Sequence, residues 1–263
     1  MSEHPVHRLI DEAIARAHAA DSDLPPLIGV GGAQGSGKTT LCRVYAEAHP
    51  RVAHFSLDDV CKTKAEREAM ASALNPLCVT RGPPGTHDLD LADGVILALE
   101  DGEDTALPRF DKATDDRTPR DAWPLFIGQP EAILVDGWCM GALRESGASR
   151  AQPINALEAE EDADGVWRRL IENALVTDYA SFFSQFDAII YLQAPSFEIV
   201  RRWRGQQEEE MLGRAMTAEE SFKLDRFIQH YERVTRSMLA GNLRADWIVR
   251  LDENRNVVSI EER

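Results

Sequence analysis

The sequence predicts a doubly wound α/β domain: a parallel sheet of about five strands with helices on both faces. Two observations predict it. Five short runs, at 27–31, 52–57, 132–135, 188–192 and 247–251, are apolar almost throughout, as strands covered on both sides must be. Stretches with helical composition separate them, and that alternation belongs to parallel sheets built from strand–helix–strand units.

Taken in order, residues 7–20 place Leu9, Ile10, Ala13, Ile14 and Ala17 on one helical stripe, so residues 1–26 are expected to form an N-terminal helical arm. The run 27–31 ends in glycines and passes into good helix formers at 38–49, which predicts strand, loop and helix. Further helices are expected at 88–99, 166–183, 196–212 and 218–239. The loops at 74–87 and 108–130 are long and rich in proline, and compact domains keep such loops for ligands. The acidic stretch 158–164 reads as a solvated surface insertion within about 142–165. There is no internal repeat, so residues 27–263 are expected to form one domain.

Of the 263 residues, 43% are apolar and 28% charged, which is enough apolar material for a packed core. The net charge of −16 repels polyanions, so a nucleic-acid partner is not expected, and any phosphate ligand must be held by local groups. No apolar run approaches the roughly 18 residues of a membrane span, and the N-terminus resembles neither a signal nor a transit peptide. A cytoplasmic protein, monomeric or weakly dimeric, is expected. Cys42, Cys61, Cys78 and Cys139 form no Cys-x-x-Cys pair and are expected to be reduced and structural.

The segment Gly32-Ala33-Gln34-Gly35-Ser36-Gly37-Lys38-Thr39-Thr40 carries two glycines separated by four residues, then lysine and a hydroxyl, between a predicted strand and a predicted helix. This is the phosphate loop: its glycines let backbone N–H groups face an anion, the helix N-terminus adds positive potential, and Lys38 reaches the outer phosphates. Thr39 is expected to ligate magnesium. No lysine follows an asparagine, so the guanine-reading Asn-Lys-x-Asp of GTPases is missing, and a small-molecule kinase remains.

Two further acidic positions end strands. Asp58, in Ser56-Leu57-Asp58-Asp59, is expected to take the acceptor hydroxyl's proton or to organise magnesium, with Asp59 capping the next helix. Asp136, after Ala-Ile-Leu-Val, occupies the position where a carboxylate holds magnesium or its waters.

These segments, together with Arg81-Gly-Pro-Pro-Gly-Thr-His87-Asp88, Leu107-Pro-Arg109-Phe-Asp111-Lys112, Asp116-Arg117, Asp136-Gly-Trp138-Cys-Met-Gly141 and Leu251-Asp-Glu-Asn-Arg-Asn, resemble the D-glycerate 3-kinases of plants, cyanobacteria and fungi. That family is related to uridine kinase, phosphoribulokinase and pantothenate kinase. The resemblance runs in order over about 27–260. It departs at Val60-Cys61, where the family has Phe-Tyr, and in a shorter stretch before Asp116.

The resemblance implies a P-loop kinase fold, ATP and Mg²⁺, and transfer of the γ-phosphoryl to a primary hydroxyl of a small acceptor, D-glycerate first. Another acceptor is the alternative, whether a nucleoside, a pantothenate-like compound or a different hydroxy acid. A nucleotide-dependent regulatory module without an acceptor is the second alternative. An anionic acceptor needs cations, and Arg81, His87, Arg109 and Lys112, with Asp58, Asp88 and Asp111, are expected around it. Related kinases place lid arginines on the helix after the fourth strand. Arg202 is therefore expected to act with Lys38 and Asp58 in catalysis, and Arg201 and Arg204 to touch the nucleotide.

Overall fold

The computed structural model describes residues 4–20, 23–145 and 152–263. Residues 1–3 and 21–22 of the expected arm, and 146–151 of the expected insertion, lie outside the described residues.

Helix α1 (Pro5–Ala19) precedes β1 (Leu27–Gly32), α2 (Lys38–Ala48) and β2 (Val52–Ser56). A 3-10 turn (Leu57–Val60), α3 (Lys64–Ala73) and α4 (Leu89–Glu100) follow. The long loop beyond α4 folds into two small antiparallel ladders. In these, β3 (Thr105–Ala106) pairs with β6 (Leu125–Phe126), and β4 (Phe110–Asp111) pairs with β5 (Asp116–Arg117). Then come β7 (Ala132–Gly137), α5 (Ala156–Glu161), α6 (Val166–Val176), α7 (Asp178–Ser184), β8 (Ala188–Gln193), α8 (Phe197–Leu212), α9 (Ala218–Leu239), β9 (Trp247–Leu251) and β10 (Val257–Glu262).

The main sheet has the order β10-β9-β8-β1-β7-β2. The five strands from β9 to β2 are parallel and lie on the five apolar runs. Alternation explains why those runs are continuous. Along β7, Ile133 and Val135 enter the hydrophobic layer of α4, α6 and α7, while Ala132 and Leu134 enter the opposite layer with α1, α2 and α8. The chain leaves β1 toward β2 on one side and leaves the adjacent β7 toward β8 on the other, so the carboxyl ends of β1 and β7 flank the topological switch point where open α/β sheets bind ligands.

Three elements differ from the sequence expectation. The sixth strand, β10, pairs antiparallel with β9 at the sheet edge, and its side chains are largely exposed, so it shows no apolar run. The helix expected over 166–183 breaks at Thr177 (φ −100°, ψ −90°), and α7 turns to bury Tyr179, Phe182 and Phe183. The acidic stretch is not uniformly solvated. Glu160 and Glu161 are exposed, but Glu158 and Asp162 are buried. Glu158 accepts hydrogen bonds from Arg233 Nε (2.8 Å) and Nη2 (2.6 Å). Asp162 accepts from Arg168 Nε (2.9 Å) and from the Trp167 backbone N–H (2.7 Å). Burial of these acids is tolerated because each faces a buried guanidinium on α9 or α6.

Removing one partner leaves the other charge buried alone. Arg233→Ala is therefore expected to cost about 3–5 kcal/mol of unfolding free energy in urea melts, whereas Arg226→Ala, whose partners Glu160 and Glu161 are exposed, is expected to cost under ~1 kcal/mol.

Candidate active site

The phosphate loop leaves β1 at Gly32 and enters α2 at Lys38, with Gly37 in the left-handed region (φ 90°) at the helix N-cap. Gly35 also has positive φ (74°), and a Cβ there would lie 2.7 Å from Trp203 Cβ, so only glycine lets α8 pack beneath the loop. Arg255 braces the same turn: its Nε donates to the Gly35 carbonyl (2.6 Å), and its guanidinium lies over the Trp203 ring. The loop's shape is thus held by packing from α8 and by the β9–β10 turn.

Thr39 donates its hydroxyl to Asp136 Oδ2 (2.7 Å). Asp136, fully buried at the end of β7, also accepts from Ser56 Oγ (3.2 Å) and shares a hydrogen bond between Oδ1 and His54 Nε2 (2.9 Å). A hydroxyl and a carboxylate at the mouth of a phosphate loop are the hard oxygen donors magnesium requires, so Thr39 and Asp136 fit that ion.

Across the loop lies a cleft lined by Gln34, Gly35, Gly37, Lys38, Thr39 and Thr40 on one side and by Asp58, Cys61, Arg81 and Gly82 on the other. Lys112, Trp138, Arg204, Phe227 and Tyr231 also line it, with Gln207 and Met211 of α8. Asp58 accepts a hydrogen bond from Lys112 Nζ (3.1 Å). Burial opposes ionisation of Asp58, but the ammonium groups of Lys112 and Lys38 outweigh it and hold the carboxyl well below the usual carboxylate range. The same pairing raises Lys112. Arg81 is ion-paired with Asp115, and its backbone carbonyl accepts from the Tyr231 hydroxyl (2.6 Å). Trp138 Nε1 donates to the Gly82 carbonyl (2.9 Å). Gly82 has φ 97°, and a Cβ there would lie 2.6 Å from the Tyr231 hydroxyl, so the 81–86 turn is clamped between two aromatic rings.

Among the expected site residues, Lys38, Thr39, Asp58, Arg81, Lys112 and Arg204 meet in the cleft. Others take supporting positions. Asp59 accepts from the Ser56 N–H (3.2 Å) and the Phe110 N–H (3.2 Å) and pairs with Arg109 (3.3 Å), so Arg109 buttresses the 3-10 turn instead of lining the cleft. Asp88 caps α4 through the Leu91 N–H and pairs with Arg117. Asp111 closes an exposed turn by accepting from the Ala113 N–H and the Thr114 hydroxyl. His87 is buried, sharing a hydrogen bond with the Tyr179 hydroxyl. On α8 the helical period separates the arginines. Arg201 pairs with Asp225 and Arg202 with Glu253, while Arg204, half a turn on and ion-paired with Glu208, faces the cleft.

Phe227 and Tyr231 carry no signal in the sequence, because buried aromatics are ordinarily core, and Trp138 stands out there only as part of the Asp136–Gly141 motif.

No family model matches the chain. It is 28% identical to the uncharacterized kinase mug58 of Schizosaccharomyces pombe, over 79% of this chain and 78% of that protein. Its structure superposes on that of a D-glycerate 3-kinase from Cryptococcus neoformans with TM-score 0.80 and 24% identity, covering 98% of each chain. On the YGR205w protein the TM-score is 0.73 at 21% identity, covering 100% of this chain and 99% of that one. The fold is that of the P-loop kinases. Among the described residues of this P-loop kinase fold, no helix is long and apolar enough to cross a membrane.

Burial pushes the His87 imidazole down to about 4, against a smaller upward pull from Asp58. An unfolded chain takes up that proton near pH 6.5, the folded chain only near pH 4, so this residue's cost appears as pH falls between those values. Above about pH 6.5 it vanishes. Urea melts from pH 7.5 to 4 are expected to show His87→Asn losing about 3 kcal/mol less than the parent over this interval. Parallel curves would mean that His87 does not titrate this way.

Proposed function

We propose that this chain is an ATP- and magnesium-dependent kinase that transfers the γ-phosphoryl group to a hydroxyl of a small anionic hydroxy acid, with D-glycerate the first candidate. The observation that carries this reading is the convergence of an ionised carboxylate, Asp58, with Lys112, Arg81 and Arg204 opposite Lys38 and Thr39 of the phosphate loop. In a chain of net charge −16, a cleft with four cations is a local reversal of sign, suited to a polyphosphate on one side and an anionic acceptor on the other. The names of the superposing D-glycerate 3-kinase and of the mug58 kinase support the same chemistry.

On this reading the residues divide the work. Lys38 and the N–H groups of the loop bind the phosphates, and Thr39 with Asp136 would hold a magnesium ion, which would supply neutralisation of phosphate charge. Lys112 and Arg81 orient the acceptor's carboxylate, leaving Asp58 to accept a hydrogen bond from the acceptor hydroxyl. As the hydroxyl oxygen bonds to the γ-phosphorus, the bond to the β–γ bridging oxygen breaks and the hydroxyl proton passes to Asp58. A carboxylate held this strongly ionised is a weak base. It suffices because the transition state is loose and the proton leaves late. Arg204, on the helix that packs under Gly35, covers the moving phosphoryl group, the role that the sequence resemblance gives to Arg202.

Asp58→Asn keeps the shape but cannot take the proton, so kcat is expected to fall at least ~100-fold with KM for ATP little changed. Asp59→Asn, which loosens the 3-10 turn, is expected to be milder. A larger kcat loss from Asp59→Asn would transfer the role to Asp59.

Arg204→Ala is expected to lower kcat by roughly 100-fold, whereas Arg202→Ala, which loses only an exposed pair with Glu253, is expected to stay within about threefold of the parent. Coupled ADP-release kinetics on the two variants tests the assignment. The reverse ranking would restore Arg202.

A further inference from the structure

The mechanism uses one side of Asp136. Its other side faces two residues that the reaction leaves idle. In the parallel register of β2 and β7, Ser56 lies opposite Asp136 and His54 opposite Leu134. Strand alternation puts His54, Ser56 and Asp136 on the same face of the sheet, toward α2. On α2, Cys42 follows Thr39 by three residues and is therefore on the same helical face, one turn deeper. The ligand atoms of Cys42, His54 and Asp136 all lie within 4.8 Å of one another.

We propose that Cys42, His54 and Asp136 form a binding site for a soft divalent cation of the zinc type, and that its occupancy switches the phosphate loop off by competing for Asp136. Thiolate, imidazole and carboxylate are the three ligand types zinc takes, at about 2.0–2.3 Å, which sets tetrahedral ligand atoms about 3.3–3.8 Å apart. From separations within 4.8 Å, the side chains need close by only about 1 Å. The fourth position falls to water or to the Thr39 hydroxyl, already 2.7 Å from Asp136 Oδ2.

Charge balance favours the ion. Cys42 and Asp136 are fully buried, and when the cation binds, the thiol proton leaves to solvent. A dication with one thiolate and one carboxylate then sums to zero, so no net charge is buried. The His54 side chain, 12% exposed, gives water and ions an approach. Magnesium is not drawn inward, because it prefers oxygen donors in octahedral array and has little affinity for sulfur and imidazole. One carboxylate thus stands between a hard site facing the cleft and a soft site facing the sheet.

The full-length chain, freed of metal, is titrated with Co²⁺ and followed by absorption. One equivalent is expected to produce a thiolate-to-cobalt charge-transfer band that zinc erases. Cys42→Ala is expected to lose the band and Cys78→Ala to keep it. No band in the parent, or a band that survives in folded Cys42→Ala, overturns the site. Should Cys42→Ala not fold, His54→Gln is expected to weaken cobalt binding at least ~10-fold, and unchanged binding overturns the site equally. These readouts do not depend on turnover, so they stand apart from the kinase reading. The switch is tested separately. Zinc is expected to abolish ADP release in the parent at excess magnesium, with recovery on chelation, and to leave Cys42→Ala unaffected. Equal inhibition of both overturns it.

Discussion

Asp136 is the point through which three elements are aligned. Its carboxylate accepts from Thr39 at the start of α2 and from Ser56 at the end of β2, and His54 shares its other oxygen. These bonds fix the phosphate loop against the carboxyl end of the sheet while the side chain itself is fully buried. A buried carboxylate is stable only with such partners, and one of them, Thr39, is the hydroxyl that closes the phosphate loop. The end of β2 in turn places the 3-10 turn, and therefore Asp58, across the cleft from Lys38.

The other side of the cleft is built from loops, and loops hold position only when their polar groups are tied down. Arg67 does much of this: fully buried on α3, it donates to the carbonyls of Lys62, Val79 and Asp115, joining the two long loops from within. Tyr231 and Trp138 clamp the turn at Gly82 from the opposite side. The loop cations facing the cleft, Arg81 and Lys112, are thus carried on a braced surface, so less ordering would remain to be done on binding a ligand there.

Much of this was legible in the sequence. The central strands could be read because burial on both faces makes their hydrophobicity continuous, and the phosphate loop because its glycines and lysine serve one chemical purpose. Asp58 and Asp136 stand at the carboxyl ends of β2 and β7, positions the apolar runs before them made legible. What escaped depends on partners distant in the chain. Glu158 and Asp162 look like solvent-facing acids until Arg233 and Arg168 are seen against them. Arg109 and Asp88 have the right chemistry for an acceptor pocket, but Asp59 and Arg117 claim them first. Which of Arg201, Arg202 and Arg204 lines the cleft depends on how α8 sits against it, which local sequence does not encode. The edge strand β10 and the break at Thr177 are set by pairing and by side-chain burial, not by local composition.

On the proposed reading, Lys112 and Arg81, across the cleft from the phosphate loop, select an anionic acceptor. Initial rates of ADP release at saturating magnesium-ATP, with D-glycerate, with glycerol as the neutral triol of similar shape, and with uridine, test it most directly. Rapid release that depends on D-glycerate, with glycerol and uridine near the acceptor-free rate, is the expected result. Release driven by uridine or glycerol and indifferent to D-glycerate would contradict it.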